Sequence, residues 1–222
     1  ALAEKNGWVT VQDKDWEGYT DIPLWIMQGY AVMALECFEE LESQKTKPTH
    51  VFLQAGVGSM AAAVTGFLAD AYGADCPKIV ILESEQADCY YRTAAANDGT
   101  LHLVGGEMDT IMAGLACGEP TNLGWPTLRD HAWGFVSLED SITATGMRIL
   151  TAPVSGDPRV ISGESGAVGL GLCYALMTDE RYNDLRDKLE LNAGSSVLCF
   201  STEGDTDRNN YRKIVWEGAW AK

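Results

Sequence analysis

The stretch Val51-Phe-Leu-Gln-Ala-Gly-Val-Gly-Ser-Met60 constrains this chain more than any other. Val51 to Leu53 is an apolar, strand-forming run, Gln54 to Ser59 is a glycine turn, and the alanine-rich segment Met60 to Tyr72 predicts a helix that contains Gly66. After Gly73 to Pro77, Lys78 to Leu82 reads as a second buried strand that ends in Glu83. Strand, helix and strand in this order make a βαβ unit, and its right-handed crossover implies a parallel sheet. The expected fold class is α/β, an open and mostly parallel sheet with helices on both faces.

The flanking segments extend that picture. Trp8 to Gln12 is a short apolar, β-branched run ending at Asp13, which predicts a buried strand followed by a loop. Tyr19 to Leu24 breaks the pattern at Pro23, and from Trp25 to Leu41 apolar residues recur at helical spacing until Lys45, Lys47 and Pro48 close the run. Helices are expected around Met108 to Ala116, Leu138 to Leu150, Ser165 to Met177 and Asp179 to Leu191. Ser196 to Phe200 predicts a last buried strand, running into Ser201-Thr-Glu-Gly-Asp-Thr-Asp207 and a terminal helix. No repeat, low-complexity tract or linker divides the chain, so most of it is expected to form one lobe. The opening Ala1-Leu-Ala-Glu-Lys5 resembles the tail of a helix more than a natural start, which suggests a fragment.

With 222 residues and 46% hydrophobic composition the chain can bury one sizeable core. Its formal charge of -16 repels phosphodiester backbones, so nucleic acid is a poor partner, and a small anionic ligand would need a local trap of backbone amides. No apolar run approaches the length that spans a bilayer, and no basic-then-apolar export signal precedes Trp8, so a soluble cytoplasmic protein with no membrane partner is expected. Cys37, Cys76, Cys89, Cys117, Cys173 and Cys199 show no CxxC spacing, and His50, His102 and His131 are scattered, so no metal site is expected.

The trap is found at Ala55-Gly-Val-Gly-Ser-Met60, where a strand delivers the chain into a helix through residues that tolerate positive φ and close approach of a ligand. Free amides at the helix start, together with the helix dipole, favour an anion there, and Ser59 adds a hydroxyl. An ordinary tight turn without a ligand is the plainer alternative. Gly56, Gly58 and Ala61 also fit G-x-G-x-x-A, with Glu83 at the end of the next strand, so an NAD-type dinucleotide site is a second alternative. Against it, an earlier strand and long helix precede the unit, and a second polar loop follows the last strand. Ligands of open parallel sheets bind at the carboxyl ends of strands, so both loops are expected to face one crevice.

Taken together, Val51 to Met60, Asp157-Pro-Arg-Val-Ile-Ser-Gly-Glu-Ser-Gly-Ala167 and Ser201 to Asp207 resemble the diaminopropionate ammonia-lyase family. Val11-Gln-Asp13, Trp16-Glu-Gly-Tyr-Thr20, Trp25-Ile-Met-Gln-Gly-Tyr30, Ile111 to Pro120 and Val215-Trp-Glu-Gly218 agree with it. The resemblance implies a pyridoxal 5'-phosphate enzyme with the tryptophan synthase β-subunit type of fold, acting on 2,3-diaminopropionate by β-elimination to give pyruvate and ammonia. It implies that residues 1–20 end the smaller lobe and crossover and that residues 21–222 form the large lobe, and the family is commonly a homodimer. Gly56, Val57, Gly58, Ser59 and Met60 are then the phosphate cradle, while Ser201 and Thr202 supply a hydroxyl to the pyridine nitrogen. Glu164 would lie near the ring, with a helix N-terminal acid as its alternative. Asp13 would face the substrate's amino groups and assist proton transfer, with a turn-capping aspartate as its alternative. Cys89 and Cys117 are placed near the site's mouth, where they pair or come close, or are simply buried thiols. The family's cofactor-tethering lysine would lie upstream of Ala1, because Lys5, Lys14, Lys45, Lys47, Lys78, Lys188, Lys213 and Lys222 all sit in polar or terminal contexts. On that reading the isolated chain is expected to be inactive.

Overall fold

The computed structural model describes residues 2–221. After a short helix α1 (Leu2–Asn6), the chain forms α2 (Asp21–Ser43), β1 (His50–Gln54), α3 (Ser59–Tyr72), β2 (Lys78–Ser84) and α4 (Cys89–Ala96). There follow α5 (Trp125–His131), β3 (Gly134–Leu138), α6 (Asp140–Thr151), α7 (Val168–Thr178), α8 (Asn183–Leu189), β4 (Val197–Cys199) and α9 (Arg208–Val215). The strands lie in the order β3-β2-β1-β4 and all neighbouring pairs are parallel.

Strand alternation divides the core between the two faces. Val51, Leu53, Ile79 and Ile81 pack with Ala34 of α2, Val64 and Leu68 of α3 and Leu128 of α5. Phe52, Val80 and Leu82 pack on the opposite face with Ile142 of α6, Val168 and Leu172 of α7 and Leu189 of α8. Because β1 and β2 are buried on both sides, they read as continuous apolar runs. Helix α9 closes against α6 through Met147, Tyr211 and Ile214.

The strand order positions the site. From β1 the chain winds outward through β2 to β3, then returns across the other face to add β4 on the far side of β1. The connections leaving β1 and β4 therefore emerge side by side at a point where the winding reverses, and open parallel sheets bind ligands in such crevices.

Several expectations differ from the structure. Trp8 to Gln12 forms no strand: Trp8, Val9 and Val11 are exposed, the Trp8 amide donates to the Ala3 carbonyl, and the Tyr19 hydroxyl bonds the backbone of Thr10 and Gln12. A β-branched run becomes a strand only when a neighbouring strand pairs with it, and no strand among the described residues does. Pro23 does not delay α2, because it falls in the first turn, where its missing N–H has no helical partner to lose. Met108 to Ala116 is irregular apart from one 3-10 turn at Ala113–Leu115, since the Asp140 carboxylate takes Thr110 Oγ1 and the Ile111 amide while Ser165 Oγ takes the Gly114 amide. Side-chain acceptors there outcompete the helical ladder. Asp179 to Leu191 is split into a 3-10 turn and the shorter α8. No helix among the described residues is long and apolar enough to cross a membrane.

Candidate active site

The turn after β1 is held open by close packing beneath it. Gly58 caps α3 at φ 94 and ψ 1, a left-handed conformation, and a β-carbon there would meet the Tyr90 hydroxyl at 2.2 Å. A β-carbon on Gly56 would sit 2.8 Å from the Gly114 carbonyl. Ala62 makes the first α3 bond, to the Gly58 carbonyl at 2.9 Å. The amides of Gly56, Val57, Gly58, Ser59, Met60 and Ala61 meet no acceptor among the described residues. These donors line one wall of a cavity of ≈ 290 Å³ whose other walls include Asp13, Tyr30, Gln54, Gly114, Leu115, Ser165, Thr202 and Glu203.

The two loops thus open into one crevice. A concave wall of unpaired amides at the start of a 14-residue helix suits a phosphate, and no lysine or arginine lines the cavity, so backbone dipoles supply the positive potential in a chain of charge -16. Pyridoxal phosphate fits this donor set.

The strand ends add directed polar groups. Gln54 Nε2 donates to the Phe200 carbonyl at 2.7 Å and to Thr202 Oγ1 at 3.1 Å, so Thr202 accepts there and keeps its own proton to give. Ser201 instead donates to Ser162 Oγ at 2.8 Å and does not line the cavity. Asp13 does line it, and its carbonyl accepts from Ser59 Oγ at 3.2 Å, which ties the segment before α2 to the turn after β1. Glu164 faces elsewhere, into a second cavity with Asp140, Asp207 and Asn210, where Asn210 Nδ2 donates to it at 2.6 Å and burial raises its pKa. Among the predicted positions, then, Asp13, Gly56 to Met60 and Thr202 converge, while Ser201 and Glu164 stand outside this cavity.

Sequence reasoning missed Gln54, Tyr30, Ser165 and Glu203. Glu203 Oε2 accepts the Ser165 amide at 2.8 Å, which joins the loop after β4 to the loop before α7. Gln54 carried a signal, since a polar residue ending an otherwise apolar strand points at the carboxyl edge.

Glu83 answers the dinucleotide alternative. It is fully buried, and its two oxygens accept the Tyr90 amide at 2.8 Å and the Tyr91 amide at 2.7 Å at the start of α4, leaving no exposed acceptor for a ribose. Burial pushes its pKa up to about 7 against those two amides. Cys89 and Cys117 are both free thiols that lie close, Cys89 Sγ sitting 3.7 Å from the Cys117 carbonyl and 3.5 Å from Glu83, and burial raises both pKa values. No cluster of metal ligands occurs among the described residues.

Fold and cavity suit a vitamin B6 enzyme, and residues 1–203 match the family model described as pyridoxal-phosphate dependent enzyme: the chain belongs to that family. It is 52% identical over 219 residues to the diaminopropionate ammonia-lyase of Escherichia coli strain K12, covering 99% of this chain and 54% of the relative. The Salmonella typhimurium diaminopropionate ammonia-lyase is 49% identical over 98% of this chain and 54% of its own length. The crystal structure of the Escherichia coli enzyme in complex with D-serine superposes with a TM-score of 0.92 at 50% identity, over 99% of this chain and 54% of that one. The chain spans about half the length of the curated relatives it matches.

Proposed function

We propose that this chain is the phosphate-gripping part of a diaminopropionate ammonia-lyase, which eliminates the β-amine of 2,3-diaminopropionate to give pyruvate and ammonia. The observation that carries the reading is the shared cavity: unpaired amides at Gly56 to Ala61 face a wall that holds Asp13 and Thr202. When bound, pyridoxal phosphate supplies an electron sink for charge developing at the substrate α-carbon.

The chain's own residues do the rest. The turn amides hold the phosphate and so fix the ring's position. Thr202, oriented by Gln54, offers its proton to the ring's far edge. A neutral hydroxyl such as that of Thr202 would leave a bound ring's nitrogen without full positive charge, which suits an elimination. The Asp13 carboxylate is placed to meet a substrate ammonium and to hold or move its proton. Ser201 and Glu164 are assigned a supporting role, Ser201 through Ser162 and Glu164 through Asn210.

We assign the lysine that tethers the cofactor to the part of the relatives' length that this chain does not span, since no lysine lines the cavity. Residues 1–20 would then end the smaller lobe and residues 21–222 form the larger. The same reading makes the protein cytoplasmic and homodimeric, and Trp25 and Val32, exposed one above the other on α2, suit a subunit interface.

The test is direct. The whole protein, loaded with pyridoxal phosphate and given 2,3-diaminopropionate, is expected to release pyruvate with two equivalents of ammonia. Cofactor-saturated protein that leaves this substrate intact while consuming another amino acid would replace the substrate assignment.

A further inference from the structure

The Val57–Gly58 peptide is gripped from below. Its carbonyl accepts from the Tyr90 hydroxyl at 2.7 Å and from the Thr121 amide at 3.0 Å, and the Thr121 amide also reaches the Tyr90 oxygen at 3.0 Å. In a trans peptide the N–H points opposite to the C=O. Pulling the Val57 carbonyl inward therefore aims the Gly58 N–H outward, at the cavity. Without this grip the peptide could rotate and present its carbonyl, an electron-rich oxygen, to the anion.

Both holders are themselves fixed. The Tyr90 ring is fully buried in a three-ring cluster with Trp125 and Phe135, its centroid 6.0 and 6.4 Å from theirs, and those two rings lie 5.7 Å from each other. The Thr121–Asn122 turn is clamped by the buried Asp15, whose carboxylate accepts Thr121 Oγ1, the Asn122 amide at 2.9 Å and Asn122 Nδ2 at 2.8 Å. Burial opposes that charge, but the Thr121 and Asn122 donors hold the Asp15 pKa below the usual carboxylate range.

We infer that Tyr90 is the positioning residue of the anion turn: its hydroxyl, with the Asp15-clamped Thr121 amide, sets the orientation of the Val57–Gly58 peptide and thereby the selectivity of the site for a phosphorylated ligand. This rests on the assignment of the turn to the cofactor phosphate.

The experiment uses the whole protein stripped of cofactor, titrated with pyridoxal phosphate, with pyridoxal and with inorganic phosphate. Wild type is expected to prefer the phosphorylated aldehyde. Tyr90→Phe keeps the ring but deletes the hydroxyl, and is expected to weaken pyridoxal phosphate and inorganic phosphate by about tenfold, the effect of one lost hydrogen bond that leaves a buried carbonyl short of a donor. Its affinity for pyridoxal is expected to stay unchanged, which a merely structural role would not allow. Equal losses for pyridoxal and its phosphate, or an undiminished preference for the phosphate in Tyr90→Phe, would overturn the inference while leaving the turn's assignment intact. A wild type indifferent to the phosphate would overturn the assignment and the inference together. Asp15→Asn, which slackens the Thr121 side from outside the cavity, is expected to shift the same ratio in the same direction and answers the question should Tyr90→Phe not fold.

Discussion

A β-carbon on Gly58 would lie 2.2 Å from the hydroxyl oxygen of Tyr90, at a residue whose φ of 94 already excludes most side chains. The aromatic ring occupies the volume that a methyl would need, and the ring cannot retreat because it is packed against Trp125 and Phe135. The turn must then move outward, into the cavity. Gly58→Ala is expected to lose stability by at least about 1–2 kcal/mol from the left-handed backbone alone. Pyridoxal phosphate affinity should fall by more than about tenfold, because the displaced amides no longer converge. Urea unfolding and cofactor titration read the two effects separately.

Thr202 and Ser201 are neighbours with different hydrogen-bond duties. Thr202 accepts from Gln54 and keeps its proton free, whereas Ser201 has given its proton to Ser162. Thr202→Val is expected to lower turnover by roughly two- to tenfold, matching about 0.5–1.5 kcal/mol for one hydrogen bond. Ser201→Ala should stay near wild-type turnover. The reverse order in steady-state rates would move the ring contact to Ser201.

Asp13 lines the cavity while its backbone, not its side chain, is held by Ser59. The carboxylate is therefore free to act on substrate. Asp13→Asn preserves shape and the Ser59 contact, and should cut kcat more than about tenfold while leaving cofactor affinity within about twofold, a split that general acid-base work produces and a structural cap does not. Unchanged kcat would remove Asp13 from the reaction.

The strand, turn and helix from Val51 were legible because their signature is local: apolar strand, glycines, helix, in ten consecutive residues. The parallel βαβ order around it followed for the same reason. What supports the turn was not legible, since Tyr90 reaches Val57 across 33 positions and Gln54 reaches Thr202 across 148, contacts that no spacing rule encodes. Strand β3 escaped notice because four of its five residues are only half-buried, and Gly134 and Ser137 leave Gly134 to Leu138 without a continuous apolar run. The run at Trp8 to Gln12 misled in the opposite way, its β-branched residues describing a propensity that no neighbouring strand satisfies.

The lysines give a chemical test of where the cofactor is tethered. Lys14 follows the cavity-lining Asp13, yet its Nζ is spent on the Asp15 carbonyl at 2.6 Å, and Lys78 is paired with Glu190 at the start of β2, the opposite end of the sheet from the cavity. Borohydride reduction of the 222-residue chain with pyridoxal phosphate is expected to leave no single lysine stoichiometrically labelled, as read by peptide mapping. One internal lysine fully labelled would place the tether within this chain.

Glu83 makes stability depend on pH through the element that carries Tyr90. Its carboxylate caps α4 through the Tyr90 and Tyr91 amides, but burial outweighs those bonds and raises its pKa from 4.5 to about 7. Below pH about 4.5 the group is protonated in folded and unfolded chains alike and has no effect. Between about 4.5 and 7 the unfolded chain releases its proton first, so folding binds a proton and stability falls as pH rises, by up to about 3 kcal/mol. Above about 7 both states are ionised and the loss is complete. Glu83→Gln cannot ionise and resembles the protonated acid in shape, so it should lie near wild type at pH 4.5 and gain on it steadily up to pH about 7.5. Paired urea titrations across that range measure the gap directly. A gap that stays constant with pH would mean that Glu83 is already charged throughout, its two amides winning over burial.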